Sequence, residues 1–323
     1  MIDRRISVAP MMDYTDRHCR YLLRLVSPGA LLYTEMVTAQ ALAHGHAERL
    51  LGYDPSEHPV ALQLGGSDPV LLASAARLGA ERGYDEINLN VGCPSDRVQS
   101  GRFGACLMAD PELVADCIRA MREAVGVPVT VKCRIGIDDQ DDYEFFERFV
   151  ATVREAGADT FIVHARKAYL QGLSPKENRE VPPLRYEVPL RLKHAHPDLT
   201  VILNGGISTV AQVRQWLPQF DGVMLGRQAY QEPCLLAELH REFVAPGWVM
   251  PAREAIVADY ADYIERMLES GHRLSVMLRH IHGLYSGCPG ARSWRRYLSE
   301  QGARVGADAD VLRASLRVFP QAA

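Results

Sequence analysis

Cys93 is the residue whose setting in the sequence points most directly to chemistry. It follows the apolar run EINLNVG (86–92), precedes Pro94, and is followed by a loop that contains Gly101 and Gly104. An unperturbed thiol has a pKa of roughly 8.5, so near neutral pH it is mostly protonated and can donate a proton. Glycines would let such a loop lift the thiol or close over a substrate. We therefore interpret Cys93 as a candidate proton donor.

The other cysteines fit a structural role better. Cys117 and Cys133 lie inside helix or strand patterns, as small packed hydrophobes do, and we interpret Cys106 as structural too. The chain has seven cysteines, an odd number, and no C-x-x-C pair. A disulfide framework or a zinc ribbon is not indicated, no metal site is predicted, and a reducing cytosol is the simplest compartment.

Two further stretches have the residues of an anion-binding site. Asn204-Gly205-Gly206 and Gly226-Arg227 place small residues where backbone N–H groups can approach an anion, with a fork-shaped guanidinium as partner. Each glycine alone is equally well explained by a tight turn. Together they favour a phosphate-bearing cofactor.

Other polar residues could surround the head group of such a cofactor. Lys132 and His164 each stand at the end of an apolar run and would face it. Gln63 could hydrogen-bond its polar edge, while Met11 and Met12 offer a soft apolar floor.

The first 245 residues contain the elements that must position these groups. Short apolar, β-branched runs alternate with longer helical patterns, several of which open with Asp or Thr as a helix N-cap. The runs are 6–12, 31–37, 60–66, 86–92, 129–135, 160–166, 200–206 and 221–227. Eight strands alternating with helices predict an α/β fold of the (β/α)8 TIM-barrel type. A doubly wound open sheet is the alternative, but no G-x-G-x-x-G follows the first strand.

Nearly every one of these runs ends in a polar or otherwise special residue. In a TIM barrel the carboxyl ends of the strands meet at one rim, where the chemistry takes place. A polar exit from a single strand needs no functional explanation. Six or seven together favour a functional site at that rim.

Composition and charge narrow the class of protein. The chain has 323 residues, 47% of them hydrophobic and 24% charged, as in an ordinary globular protein. The start MIDRRISVAP carries charges where a signal peptide needs an apolar core, and no run is long enough to span a bilayer. We therefore expect a cytoplasmic protein without membrane association.

Two basic segments stand out from a net charge of -4. Residues 166–193 contain seven Lys or Arg against three Glu, and residues 271–307 contain six Arg against one Glu. Either alone is equally well explained as a solvated surface. Both together, beside a barrel rim, favour a directed polyanion site such as RNA.

Beyond Pro251 the pattern becomes wholly helical. Apolar stripes at helical spacing predict a small C-terminal all-helical domain, with VAPGWVMP (244–251) as a linker. We therefore predict a TIM-barrel catalytic domain over 1–245 and a helical nucleic-acid-binding domain over 251–323. Trp294 and Tyr297 have the spacing of core residues rather than of base-stacking ones.

The chain resembles the tRNA-dihydrouridine synthases, and most closely their bacterial A type, which modifies positions 20 and 20a of the D-loop. The resemblance covers nearly the whole chain. It lies in VAPMMDYTDRHCRY, HPVALQLGGSDP, GYDEINLNVGCPSDRV, VPVTVKCRIGIDD, HARKAYLQGLSPKENRE, LNGGI and DGVMLGRQAYQ, among other stretches.

The resemblance implies cofactors and site residues. It implies bound FMN, NADPH as reductant, Cys93 as the catalytic acid and tRNA as the partner, with no obligatory protein partner evident. The FMN residues it implies are Pro10, Met11, Met12, Gln63, Lys132, His164, Asn204, Gly205, Gly206, Gly226 and Arg227. The tRNA contacts it implies are Asn90, Arg97, Lys176, Arg179, Arg295 and Arg296.

The implied reaction adds hydride to C6 of uracil and a proton to C5, so it needs a hydride donor and a separate acid on opposite sides of the base. Two alternatives remain open at this point. A flavin barrel acting on a small pyrimidine or enone predicts a similar rim but has no need of a basic helical domain. A non-enzymatic RNA-binding protein explains the basic segments but leaves Cys93 and the phosphate loops without a role.

Overall fold

The eight predicted strands form one closed parallel barrel. The computed structural model describes residues 2–45 and 47–318, except for the side chain of Arg97. Its strands are β1 (Ile6–Val8), β2 (Leu31–Tyr33), β3 (Val37–Thr38), β4 (Val60–Gly65), β5 (Glu86–Val91), β6 (Val129–Arg134), β7 (Thr160–His164), β8 (Thr200–Asn204) and β9 (Gly222–Leu225). The barrel closes because β1 pairs with both β2 and β9, and β2 continues to β4. The predicted TIM barrel is confirmed, and the open-sheet alternative is wrong.

The predicted strand over 31–37 is present as two short pieces, β2 and β3, which both pair with β4. The ladder is interrupted at Thr34, whose side-chain Oγ1 accepts a hydrogen bond from the backbone N–H of Gln63 at 3.0 Å. A side-chain oxygen thus takes the place of a backbone carbonyl at this point. β3 then resumes the same edge, so the barrel still counts eight strands.

Helices surround the barrel and continue beyond it. They are α1 (Arg17–Val26), α2 (Ala39–Ala43), α3 (Ala47–Leu50), α4 (Pro69–Glu81), α5 (Asp96–Ser100), α6 (Pro111–Ala124), α7 (Tyr143–Glu155), α8 (Glu187–Ala195), α9 (Val210–Trp216), α10 (Arg227–Gln231), α11 (Cys234–Leu239), α12 (Arg253–Glu269), α13 (Leu274–Ile281), α14 (Ala291–Gly302) and α15 (Asp310–Ser315). The predicted N-caps Asp68, Asp110 and Thr209 each accept a hydrogen bond from a backbone N–H of the first turn of their helix. Short 3-10 turns include Gly104–Ala109 and Glu177–Arg179.

The barrel interior is divided into an apolar and a polar half. Side chains such as Leu31, Ile162, Ile202 and Met224 form a small apolar cluster inside the barrel. The inward side chains of β5 are polar instead, as are their neighbours on β4 and β6. The large apolar core lies outside the strands, under the helices.

The C-terminal helices pack on α1 of the barrel. Tyr260 and Tyr263 of α12 are fully buried, and Tyr263 stacks on Tyr21 of α1 with ring centroids 3.9 Å apart. Trp294 is also fully buried, as its spacing predicted, and its Nε1 donates to Ser315 Oγ at 2.8 Å. The division into domains at 245–251 stays a prediction. None of the helices in the described ranges is both long and apolar enough to cross a membrane.

Candidate functional site

Several of the predicted site residues lie at the carboxyl-terminal rim of the barrel. Lys132 of β6 and Asn204 of β8 are joined directly, because Lys132 Nζ donates to Asn204 Oδ1 at 3.0 Å. Asn204 Nδ2 in turn donates to the carbonyl of Met224 on β9 at 2.8 Å. His164 ends β7 between them and pairs in register with Asn204. Three neighbouring strands therefore present one cation, one imidazole and one amide on the same side.

Burial makes this part of the rim electrostatically unusual. Burial, with the positive charge of Arg134 as a second cause, lowers the pKa of Lys132 to about 8. Burial and the charges of Arg134 and Lys132 also lower the pKa of His164 well below its ordinary value, so its imidazole is neutral at pH 7. The site concentrates positive charge in a place shielded from water.

Two further arginines, which the sequence analysis did not assign to the cofactor site, add to this charge. Arg134 of β6 donates to the carbonyls of Gly92, Lys167 and Asn178, and burial lowers its pKa to about 10. Arg166, which follows β7, has a buried Nε without a hydrogen-bond partner. Together with Lys132 and Arg179 we call these four the rim cations. Within the described residues none of the four forms an ion pair, so the cluster calls for an anionic ligand.

The turn after β8 requires glycine twice. Gly205 and Gly206 have φ of +114° and +68°, in the left-handed region. A Cβ on Gly205 would lie 2.7 Å from His164 Cδ2, and one on Gly206 would lie 2.5 Å from Leu184 Cδ1. Tyr186 fixes the turn by donating its hydroxyl to the carbonyl of Gly205 at 2.6 Å. The turn therefore brings bare backbone to the rim beside His164.

The loop after β9 contains Gly226 and Arg227, which were predicted to bind an anion, but Arg227 already has an acidic partner. Nothing lies within 4 Å of a Cβ built on Gly226, so its backbone faces open space. Arg227, however, pairs with Glu180 at 2.6 Å, and both side chains are more than a third exposed. Such an exposed pair contributes little free energy. Arg227 can therefore exchange this partner for an anion at small cost.

Pro10, Met11 and Met12 follow β1 and form a tight turn. Met11 N–H donates to Thr15 Oγ1 at 2.9 Å, and Met12 is 52% exposed. The next residue, Asp13, has a φ of +66° and donates its N–H to Glu35 Oε1. The apolar side chain of Met12 is thus exposed to solvent on a hydrogen-bonded turn.

Cys93 lies on a loop that three hydrogen bonds hold in place. Asn90 Oδ1 accepts from the backbone N–H groups of Gly92 and Cys93 at 3.1 and 3.0 Å. The carbonyl of Cys93 accepts from Ala105 N–H at 2.9 Å. Gly104 makes this approach possible, since a Cβ there would lie 2.5 Å from that carbonyl oxygen. The backbone of Cys93 is therefore fixed, while its half-buried thiol, 3.5 Å from Ser95 Oγ, is still reachable.

Cys117 and Cys133 are packed in the core, as predicted. Cys117 and Cys133 are fully buried, and burial raises the pKa of each thiol to about 12. Cys106 is half-buried and its Sγ contacts the carbonyl oxygen of Phe103 at 3.2 Å. Among the described residues no group of His, Cys, Asp and Glu could hold a metal ion.

Gln63 and Asn90 are connected inside the barrel. Asn90 Nδ2 donates to Gln63 Oε1 at 2.8 Å, and Gln63 Nε2 donates to Asn88 Oδ1 at 2.8 Å. Gln63 is 1% exposed and Asn90 is 8% exposed. The predicted cofactor residue and the predicted substrate residue therefore form one hydrogen-bonded unit.

The structure brings some predicted tRNA contacts to the rim and leaves others apart. Lys176 and Arg179 are exposed in and around the 3-10 turn at Glu177–Arg179, and partial burial, with the charge of Arg227 as a second cause, lowers the pKa of Arg179. Arg97 lies in α5, just after the Cys93 loop, but its side chain is outside the described part of the chain. Arg295 and Arg296 lie on α14, where Arg296 is exposed and 3.9 Å from Glu300. Among the described residues, no hydrogen bond or ion pair joins Arg295 or Arg296 to the rim.

A closed parallel barrel with a cationic, glycine-lined carboxyl rim is typical of TIM-barrel enzymes that bind phosphate-bearing ligands. A model of the dihydrouridine synthase family matches residues 7–319. The chain belongs to that family, as its resemblance implied.

Individual relatives agree with this assignment. The tRNA-dihydrouridine(20/20a) synthase of Shewanella oneidensis is 56% identical over 312 residues, which are 97% of this chain and 93% of the relative. The protein of the same name from Vibrio vulnificus is 55% identical over 318 residues, 98% of this chain and 97% of the relative. Family membership favours an enzyme over a non-enzymatic RNA-binding protein.

A more distant solved structure shows the same fold. The complex of 2-naphthoyl-CoA reductase with 2-naphthoyl-CoA aligns with a TM-score of 0.54 at 11% sequence identity. The alignment covers 75% of this chain and 50% of that one. At this identity the likeness concerns the fold alone.

Proposed function

We propose that this protein reduces the C5=C6 bond of uridine to 5,6-dihydrouridine in the D-loop of tRNA, at positions 20 and 20a. The family and the names of relatives at 55–56% identity support the reaction and the positions. The observation that carries the proposal is the half-buried thiol of Cys93 at a rim whose cations have no acidic partners among the described residues. A proton donor and an anion site thus share one opening of the barrel.

FMN is the cofactor that fits the rim. Its phosphate would be held by the backbone of Gly205, Gly206 and Gly226 with Arg227, and its ring by Lys132, His164, Gln63 and Asn204 over the floor of Pro10, Met11 and Met12. The buried Nε of Arg166, which has no partner, and the unpaired rim cations support an anionic occupant. When bound, FMN supplies the hydride that is added to C6 of uracil, and we propose NADPH as the reductant that replenishes it.

The chain's own residues then complete the reaction. Hydride addition at C6 leaves the electron pair of the C5=C6 bond on C5 and the neighbouring carbonyl, as an enolate. Cys93 donates its thiol proton to C5, the S–H bond breaks, and the thiolate regains a proton from solvent. Asn90 would contact the base, a role supported by its position beside Cys93 and by the one amide hydrogen that the bonds described above leave unused.

The tRNA would be held by cationic side chains around the rim and on the C-terminal helices. We propose Arg97, Lys176 and Arg179 for the barrel, and Arg295 and Arg296 for the predicted helical domain. Phosphate contacts of this kind set position rather than sequence. The target uridine must leave its stack to reach the recessed rim, since its C5 and C6 are otherwise covered by neighbouring bases.

The decisive experiment incubates the protein with NADPH and an unmodified tRNA transcript and maps gains of two mass units by mass spectrometry. We expect dihydrouridine at positions 20 and 20a with the native chain, and a loss of most or all product with Cys93→Ala. Cys106→Ala is the matched control, because it removes another half-buried thiol 13 residues away without touching the Asn90-held loop. Reduction of free uridine as fast as of tRNA would contradict the proposed substrate.

A further inference from the structure

The inward face of β5 is polar along its whole length. Glu86, Asn88 and Asn90 alternate with apolar residues and point into the barrel, where they are 0%, 0% and 8% exposed. TIM-barrel interiors are ordinarily filled by branched apolar side chains. A buried polar side chain is costly unless every donor and acceptor is matched. The fold alone therefore does not explain this choice of residues.

These side chains form a continuous chain of hydrogen bonds along the barrel axis. Thr130 Oγ1 donates to Glu86 Oε1 at 2.7 Å, and Asn88 Nδ2 donates to Thr130 Oγ1 at 2.9 Å. The chain continues through Gln63 to Asn90, and from Asn90 Oδ1 to the backbone N–H of Cys93. We call this set the polar column; its members are Glu86, Thr130, Asn88, Gln63 and Asn90.

Both ends of the polar column fix the direction of its hydrogen bonds. At the lower end Glu86 accepts from Arg4 Nε and Nη2 at 2.9 and 2.6 Å, and also from Tyr33. A carboxylate that carries its charge can only accept hydrogen bonds, so the single hydroxyl hydrogen of Thr130 must be donated to Glu86. At the upper end the N–H of Cys93 can only donate. The two constraints agree, and reversing any amide between them would set two acceptors or two donors face to face.

The direction of the column decides what the rim presents. The side-chain carbonyl oxygens of Gln63 and Asn90 both accept hydrogen bonds, and each side-chain NH2 group donates one of its two hydrogens within the column. Each of the two residues therefore has one amide hydrogen left, and no free carbonyl oxygen, for a ligand of the site. Donors suit the carbonyl-rich edges of pyrimidines and related rings.

We propose that Glu86, Thr130 and Asn88 are positioning residues that act through the polar column on the Cys93 loop. This inference rests on the proposed role of Cys93 in the reaction, but its physical content concerns the loop itself. Loss of one link frees Asn90 to rotate, and Gly92 and Cys93 then lose the acceptor that holds their N–H groups. The thiol remains chemically intact but no longer points in one direction.

The first test is hydrogen–deuterium exchange of Thr130→Val, which removes the hydroxyl at nearly unchanged volume. We expect the amides of Gly92 and Cys93 to exchange at least about tenfold faster than in the native protein, without faster exchange in the outer helices. Thr160→Val is the matched control: Thr160 is also a buried barrel threonine, but its hydroxyl donates to Asp159 Oδ1 outside the column. Thr130→Ser keeps the hydroxyl and should restore the native exchange rate.

The second test follows the two half-reactions separately in the same variants. Thr130→Val should slow transfer from the reduced protein to tRNA by about tenfold or more, because that step needs the thiol in place. Flavin reduction by NADPH should change less than twofold, which a general structural defect would not allow. If Thr130→Val fails to fold, Thr130→Ala tests the same link with a smaller side chain.

The outcomes separate the two proposals. Unchanged exchange at Gly92 and Cys93 in Thr130→Val, or equal exchange in Thr160→Val and Thr130→Val, overturns the positioning role whatever the activity. A native protein that reduces no uridine fails the proposed function, while the exchange comparison still decides the role of the column.

Discussion

Lys132 carries its charge inside the barrel at a free-energy cost. Its pKa of about 8 lies below the ordinary value of 10.5, so the folded chain binds this proton less tightly than the unfolded chain does. Between about pH 8 and 10.5 the unfolded state therefore holds more protons. The contribution of Lys132 makes the free energy of unfolding rise with pH across that window in the flavin-free protein.

Replacing Lys132 should change the free energy of unfolding and the binding of FMN in opposite directions. We expect Lys132→Met to raise the free energy of unfolding of the flavin-free protein at pH 7 by roughly 1–2 kcal/mol, a value discounted because the side chain keeps some contact with water. The same variant should lose most of its FMN, since it has lost a cation from the rim. Urea unfolding and the flavin absorbance of the purified protein measure the two effects.

Lys193→Met is the matched control for Lys132→Met. Lys193 is also largely buried, but its Nζ lies 2.7 Å from Asp221 Oδ2. Removing the lysine would therefore leave the carboxylate of Asp221 without its ion-pair partner. It should lower stability and leave flavin binding unchanged. A fall in stability for Lys132→Met would contradict the idea that the site is strained without an anion.

Much of the site could be predicted at the level of single residues, and the limits are physical. Lys132, His164 and Asn204 were predictable because each ends an apolar run in a fold whose strand ends converge. Arg166 and Arg134 were harder to assign, since an arginine after a strand has the same local pattern whether it binds carbonyls or a ligand. The polar column was missed, because EINLNV reads as a strand and shows nothing of the partners across the barrel.

At the scale of elements, α1 joins the barrel to the C-terminal helices through a buried histidine. His18 Nδ1 lies 2.8 Å from the hydroxyl of Tyr263, and His18 is 3% exposed. Burial lowers the pKa of His18 to about 4; Asp16 opposes this shift, while the positive charge of His272 adds to it. The folded chain therefore holds His18 neutral at pH 5, where the unfolded chain protonates it.

Because of this residue, the free energy of unfolding should decrease as the pH is lowered. Stability from neutral His18 is complete above about pH 6.5 and is lost progressively toward pH 4, which amounts to about 2 kcal/mol between pH 7 and pH 5. His18→Gln should flatten that part of the pH dependence. Chemical unfolding at the two pH values measures the difference.

The exposed His194, near the end of α8, provides the control. His194→Gln should leave the pH dependence of the native chain unchanged. If His18→Gln loses as much stability between pH 7 and pH 5 as the native chain does, the coupling lies elsewhere in the interface between α1 and the C-terminal helices.

Elements with local signals were predictable, whereas the segment after β7 was not. Strand runs and N-caps depend on neighbouring residues in the sequence, so their positions agree with the structure to within a few residues. Residues 166–186 show no period, yet they are ordered by Asn178, which is fully buried. Its amide donates to the carbonyls of Tyr169 and Leu173 and accepts from Tyr169 N–H, contacts that no local pattern reveals.

At the scale of the whole molecule, the two basic surfaces can be tested as one binding face for tRNA. Replacing both Arg295 and Arg296 by Gln removes two charges from α14, far along the chain from Cys93. We expect the KM for tRNA to rise by roughly three- to tenfold, with the rate at saturating tRNA nearly unchanged. The slope of the logarithm of the tRNA-binding constant against the logarithm of the salt concentration should also become shallower, by about one unit for each lost phosphate contact.

A charge-matched control comes from the outer helices of the barrel. Arg119 on α6 and Arg148 on α7 are exposed, and replacing both by Gln removes the same charge elsewhere. If this pair raises the KM for tRNA as much as the α14 pair does, the effect reflects net charge and not a binding face.

The proposed substrates NADPH and tRNA would share the one opening at the carboxyl-terminal rim of the barrel. All nine strands among residues 2–45 and 47–318 belong to one sheet, and no separate nicotinamide-binding fold accompanies it. We therefore expect the two substrates to reach the same face of the flavin in turn, so that one must leave before the other reacts. Initial rates measured over both concentrations should give parallel double-reciprocal lines, and high tRNA should inhibit competitively against NADPH. Lines that intersect would show instead that both substrates bind at once, and would require a second site for the nucleotide outside the rim.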